Sequence, residues 1–307
     1  MKPTLPDSLV LIERGWLSSN NILALEGDAA TLVDSGYVGH AEQTVALVSA
    51  ALGKRRLARL INTHSHSDHI GGNAALQRHF GCAIVIPAGI EEHIANWDEE
   101  ALLLAPAQQR GDRFRHDGVL RDGERFMLGG MAWQAHHAPG HDMEALVFHC
   151  PAARLLISGD ALWEDGFGIV FAEVMNKGAG LKATRTTLDM ISRLDVDLVI
   201  PGHGPAFAGF DAAVQRAYKR LAAFEQDPAR MARNAIKACF TFNLLDLQRL
   251  PLADLETYVA GVPLFAEIGT HLLGMQADAL ARWLRDELLR AKAITIEDGI
   301  ILPTMAA

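Results

Sequence analysis

Short apolar runs separated by turn residues dominate the chain up to about residue 210, and stretches with apolar residues three and four apart dominate after it. Residues 21–25 and 30–33 flank the turn Glu26-Gly27-Asp28 and read as two strands joined by a tight reversal, with Asp34-Ser35-Gly36 closing the second. In residues 40–52, Val45, Leu47, Val48 and Leu52 fall at helical spacing, and Gly53 stands where a helix stops. Residues 57–61 form a short apolar run ending at Asn62-Thr63-His64, the pattern of a buried strand delivering a loop. Asn73–Phe80 reads as a helix stopped by Gly81, and residues 83–86 as another buried strand. Residues 90–115 have no clear period and are assigned to a lid or irregular helices. Strands resume at 125–128, 131–136, 145–148 and 155–158; residues 181–194 are helical in pattern, and 197–200 form one more strand.

From Asp211 onward Ala, Leu and Arg dominate, and residues 212–225, 228–240 and 276–293 read as amphipathic helices. The tail departs from this: residues 294–296 and 300–302 flank Asp298-Gly299 and predict a small hairpin. The break divides the chain into a domain over residues 1–210 and a helical domain over 211–307. With 307 residues, 50% apolar and 21% charged, the chain is long enough for a large core plus a smaller appendage. A net charge of −9 argues against general nucleic-acid binding, which needs a basic surface. Cys82, Cys150 and Cys239 lie far apart and form no disulfide framework, so a reducing cytoplasm is expected. No secretory leader and no apolar run of the ~18–20 residues that cross a bilayer is apparent, so a soluble protein is expected.

Thr63-His64-Ser65-His66-Ser67-Asp68-His69 concentrates three imidazoles and a carboxylate in six residues. Zinc and similar borderline ions take such nitrogen and oxygen ligands. The HxH spacing lets two imidazoles point the same way from an extended backbone, and Asp68 and His69, one position out of phase, then face a second site. Gly71-Gly72 follows at once and permits tight backbone geometry between loop and helix. Three more segments place polar residues at strand ends, where function gathers on a rigid scaffold. They are Ala138-Pro139-Gly140-His141, Ser158-Gly159-Asp160 and Pro201-Gly202-His203-Gly204-Pro205.

With these segments in this order, residues 10–210 closely resemble the metallo-β-lactamase superfamily. The resemblance implies that His64, His66 and His141 bind one metal, that Asp68, His69 and His203 bind a second, and that Asp160 bridges the two. It implies an α+β fold, a four-layer αβ/βα sandwich with the site at one edge, followed here by a mainly helical extension. The implied cofactor is a pair of divalent ions, zinc first, with iron or manganese as alternatives. Water between two cations loses a proton near neutral pH and becomes a hydroxide nucleophile, and the metals stabilise the developing oxyanion. Asp68 is the residue expected to orient that nucleophile or shuttle its proton, besides serving as a ligand.

Antibiotic-cleaving members are usually secreted and many lack the Asp68-type ligand, so that activity is not expected. The full ligand set is similar to that of the glyoxalase II enzymes, which hydrolyse acylglutathione thioesters. Those hold glutathione with tyrosine and basic residues, whereas no tyrosine lies between Tyr37 and Tyr218. The same absence counts against homoserine-lactone hydrolases, and the basic accessory segments of RNA-processing members are not found. A dinuclear hydrolase of a small thioester, ester or lactone therefore ranks ahead of a phosphoesterase. A mononuclear iron persulfide-type dioxygenase is the second reading. A regulatory or effector protein acting through the C-terminal helices is the third. The tail is similar to C-terminal extensions in the superfamily, some winged-helix-like, and is assigned to a lid or to a homodimer surface; its balanced charge does not suit DNA. Trp163 and Phe167 either line an apolar pocket or pack in the core, and Asn176 and Lys177 are solvated or contact an anionic substrate. His136, His137, His149, Cys82 and Cys150 are assigned to packing or surface, with His137 the alternative for supporting a ligand.

Overall fold

Strands that are apolar on both faces need cover on both sides, and here two sheets cover each other while helices cover their outer faces. The structure is a computed structural model that describes residues 4–175 and 177–304. The first sheet has the order β1 (Leu9–Ile12), β2 (Asn21–Glu26), β3 (Ala29–Val33), β4 (Arg56–Ile61), β5 (Ala83–Pro87) and β6 (Gly118–Leu120). It is antiparallel through β3 and parallel from β3 to β6. The second, in order from its far edge, comprises β7 (Arg125–Leu128), β8 (Met131–His137), β9 (Leu146–Cys150), β10 (Leu155–Gly159) and β11 (Leu198–Pro201), antiparallel except for the β10–β11 pair.

Alternation along each strand divides the core. Ile22, Val33 and Ile61 from the first sheet meet Trp133, Phe148, Ile157 and Ile200 from the second. Leu23, Leu32 and Leu60 point the other way, under α1 (Ala41–Leu52), α2 (Ser67–Ile70) and α3 (Asn73–Phe80). Two short helices, α4 (Glu91–Asn96) and α5 (Leu104–Ala107), occupy the stretch that showed no period. Leu156 and Val199 face the opposite layer, where α6 (Phe171–Val174), α7 (Gly180–Ile191), α8 (Phe210–Gln226) and α9 (Pro228–Leu247) lie. In α7 the buried residues Thr184, Thr187, Leu188 and Ile191 mark the helical stripe that seats it. Asp227 caps α9 by accepting from the Arg230 N–H at 2.9 Å, and Pro228 follows in the first turn.

Beyond α9 come α10 (Leu255–Gly261), α11 (Pro263–Glu267), a π-helical stretch Ile268–Leu273, and α12 (Ala277–Arg290). A small sheet with the order β12 (Leu250–Pro251), β14 (Ile300–Pro303), β13 (Ile294–Glu297) ends the chain, and its last two strands are the hairpin expected around Asp298-Gly299. Buried side chains from Leu156 to Ile301 form one continuous cluster that crosses residue 210. No helix among the described residues is long and apolar enough to cross a membrane.

Gly71 and Gly72 are required by close approach, since their φ values of −63° and −84° are open to any residue. A Cβ on Gly71 would lie 2.3 Å from the Val38 nitrogen, and one on Gly72 would lie 2.3 Å from the Ser35 carbonyl oxygen. Backbone atoms cannot yield as a flexible side chain does. Gly71→Ala and Gly72→Ala are each expected to destabilise the protein by about 2 kcal/mol or more, read as a lowered midpoint in urea unfolding.

Candidate metal centre

Strands β3, β4, β8, β10 and β11 all deliver their C-terminal ends to one edge of the sandwich. Within each sheet the delivering strands run the same way: β3 is parallel to β4 and β10 to β11, while β8 and β10 are each antiparallel to β9. Asp34 follows β3, His64 follows β4, His141 follows β8, and Asp160 and His203 follow β10 and β11. His66 is still extended (φ −67°, ψ 151°), and the chain then turns into α2. That switch to helix, rather than strand alternation, sends Asp68 and His69 toward a different side from His64 and His66.

All seven residues singled out in the sequence meet at this edge. The ligand atoms of His64, His66 and His141 lie within 4.8 Å of one another, as do those of Asp68, His69 and His203, and those of His64, His69 and Asp160. His66 Nδ1 and His141 Nε2 are 2.7 Å apart. Asp160 lies between the groups, with Oδ2 3.3 Å from His141 Nε2 and 3.7 Å from His203 Nε2, and Oδ1 3.5 Å from His69 Nε2. His203 Nε2 stands 3.0 Å from Asp68 Oδ2.

Partners outside this set aim the rings. Asp34, almost fully buried, accepts from the Thr63 N–H, the Thr63 hydroxyl and His69 Nδ1, each at 2.8 Å. His141 Nδ1 donates to the Ile169 carbonyl at 2.6 Å, and His64 Nδ1 lies 3.0 Å from the Thr63 hydroxyl. With Nδ1 occupied in this way, Nε2 of each ring is turned inward as a lone-pair donor. His64 Nε2 and His69 Nε2 are buried with no hydrogen-bond partner among the described residues. Buried orphan nitrogens beside carboxylates suit a cation, and a set of imidazoles and carboxylates without thiolate suits zinc-like ions.

The electrostatics point the same way. Burial pushes His64 well below its ordinary value, and burial with the neighbouring His141 lowers His66 to about 4. Burial by itself would raise Asp68, but His69 and His203 hold it at about 2; Asp160 is likewise held well down by His203, His69 and His141 against the effect of burial. Burial opposes a charge on His69, yet Asp34, Asp160 and Asp68 raise it well above its ordinary value. The three carboxylates thus impose a demand for positive charge on the centre.

A cleft of about 990 Å³, open solvent at its mouth included, leads to the centre. Trp16, Leu103, Ala107, Gln109, Trp163, the stretch Ile169 to Phe171, and helices α8 and α9 form its walls; no tyrosine lines it among the described residues. Trp163 has a second role, its indole N–H donating to Asp160 Oδ1 at 3.2 Å while its ring meets His203 edge-on. Phe167 packs in the core against Phe224. Lys177 is exposed, and Asn176 lies outside the described residues. His137 bonds the Met143 carbonyl and His149 the Asp195 carbonyl, His136 lies beside His149, and none of these joins the centre. Cys82 and Cys150 are buried free thiols, whereas Cys239 lines the cleft.

Sequence reasoning missed four residues near the centre. Asp34 carried the same strand-end signal as Asp160. Asp142, next to His141, accepts from the Ser65 N–H and hydroxyl and so ties two ligand loops together. Trp16, stacked on His203 at 5.8 Å, and Arg220 in the cleft wall had no local signal.

A sequence model described as the metallo-beta-lactamase superfamily matches residues 14–203. The chain is 33% identical over 119 residues to a hydroxyacylglutathione hydrolase of Methylococcus capsulatus, a match that spans 38% of the length of each. It is 25% identical over 221 residues to the Brucella anthropi protein of that name, covering 71% of this chain and 69% of the relative. Among solved structures, a metallo-beta-lactamase from Cronobacter sakazakii superposes with a TM-score of 0.59 at 19% identity, over 74% of this chain and 97% of that one. A metallo-beta-lactamase family protein from Thermus thermophilus gives 0.57 at 19% identity over 98% of this chain and 100% of that one, so the match continues through the C-terminal helices. At such identities these two show a shared fold. The superfamily match takes in more than half of the chain, and the protein belongs to the metallo-beta-lactamase superfamily.

Proposed function

We propose that this protein is a dinuclear metal-dependent hydrolase of a small thioester, ester or lactone. His64, His66 and His141 would hold one ion, Asp68, His69 and His203 the other, and Asp160 both. The position of Asp160 carries the reading, since its carboxylate stands 3.3 Å from His141 on one side and 3.7 Å from His203 on the other. A pair of divalent ions, when bound, supplies Lewis acidity and a water acidified toward neutral pH. Asp68, directed by His203, is suited to orient the nucleophile and accept its proton at a carboxylate oxygen. The indole N–H of Trp163 fixes the rotation of Asp160, and the apolar cleft walls keep bulk water from the reacting carbonyl.

The names of the curated relatives support a thioester, and the lack of tyrosine in the cleft separates this chain from the glutathione-holding pattern. Native protein is expected to contain two zinc-like ions and to hydrolyse members of a thioester, ester and lactone panel. A single redox-active iron with oxygen consumption would replace this reading by the oxygenase. His66→Ala and Asp160→Ala are each expected to lose at least one bound ion by elemental analysis and to reduce turnover to background. Asp34→Asn, which leaves every inward-facing donor in place, is expected to weaken metal affinity about 10–100-fold in competition with a chromogenic chelator.

A further inference from the structure

Outside the seven residues of the centre, Arg220 on α8 is the only charged side chain among the described residues that line the cleft. Its Nε is buried with no hydrogen-bond partner among the described residues. No carboxylate among the described residues compensates it: burial, and then the like charge of Arg230, push the guanidinium below its ordinary value. A half-buried charge without a partner is unfavourable, yet the position is constructed rather than accidental. The guanidinium stands 5.0 Å from the centroid of Phe224 and 5.5 Å from that of Phe167. Its stem crosses Gly166, where a Cβ would lie 2.6 Å from Arg220 Cδ and where φ is +133°. One helical turn earlier, Arg216 Nε donates to the Glu164 carbonyl and clamps the same turn onto α8. Contact with aromatic rings uses the faces of a guanidinium and leaves its in-plane N–H edge available to an anion.

Between this charge and the centre the wall is mostly apolar, with Met231, Ala235 and Phe242 from α9 and Phe171 at the start of α6, and Asn234 the polar side chain on the α9 face. We propose that Arg220 is the specificity residue for a carboxylate carried on an otherwise apolar substrate. The cleft takes an acyl compound whose hydrocarbon body lies along α9 and whose carboxylate meets Arg220, while its reactive carbonyl reaches the metal centre. A carboxylate is favoured over a phosphate because one planar fork matches one monoanion, and outside the seven residues of the centre no second basic side chain lines the cleft among the described residues. The placement of the reactive carbonyl rests on the hydrolase reading; recognition of the anion does not.

The test is calorimetric titration of the metal-loaded protein with octanoate, octyl phosphate and octanamide, which share a tail and differ at the head. The wild type is expected to bind octanoate about tenfold or more tighter than octanamide. Arg220→Met, which keeps the stem, is expected to bind the two alike, with octanamide affinity within about twofold of wild type. Equal affinities in the wild type would overturn the proposal. So would a preference that survives in Arg220→Met, because the carboxylate would then be read by the metal centre. Octyl phosphate binding more tightly than octanoate would overturn the choice of carboxylate. Should Arg220→Met fail to fold by circular dichroism, Arg220→Gln takes its place, with Arg220→Lys expected to retain part of the preference. These readouts require no turnover, so a wild type that cleaves nothing in the panel would overturn the hydrolase reading and leave this one standing.

Discussion

The carboxylate of Asp34 is buried at the end of β3 and receives three hydrogen bonds from the loop that leaves β4. Burying a carboxylate is costly unless donors replace its water, and here those donors come from Thr63 and His69, at opposite ends of the ligand loop. One anion therefore closes the loop, turns His69 and fixes its tautomer. The fit spreads outward: Ser35 and Asn62 both donate to the His69 carbonyl, and Asn73 at the start of α3 bonds Ser35 and Asn62. Gly71 and Gly72 let the β3 end press against this loop, and the other residues of the centre gather around it.

The C-terminal helices belong to the same construction. Besides walling the cleft, α9 is tied to the first half of the chain by Asn243, which donates to the Ala107 carbonyl at 2.8 Å, and by Asp246, which accepts from the Tyr37 hydroxyl at 2.9 Å and pairs with Arg110. Tyr37 is fully buried, so this network reaches the base of the ligand loop. The unordered-looking stretch before β6 gains its place through these contacts: Ala107 is held by Asn243 of α9, Gln108 donates to the Gly261 carbonyl of α10, and the Ser67 hydroxyl of α2 donates to Gln109. The helical tail is thus both a wall of the cleft and a brace for the segment opposite it.

Regular elements with strong local patterns were legible before the structure. The helix Asn73–Phe80 with its Gly81 stop, the strands leading to His64, Asp160 and His203, and the terminal hairpin all follow from periodicity and turn residues. The short strands β1 and β6 were not, because four and three residues carry too little period to be distinguished from loop. Residues 90–115 showed none because α4 and α5, of six and four residues, are too short to carry a stripe of their own and are seated by neighbours.

By itself the sequence determined the chemical types at the centre, because the His64–His69 loop is local and a ligand's donor atoms are a property of its side chain. Only the tertiary structure decided which distant groups aim those donors: Asp34 and His69 are 35 residues apart, and Ser65 and Asp142 are 77 apart. Likewise Arg220 looks in the sequence like one more basic residue on an amphipathic helix. It becomes a cleft residue because Gly166 and Phe167 meet it across the fold, beside Phe224 one turn further along α8, and such convergence of distant segments leaves no periodic trace along the chain.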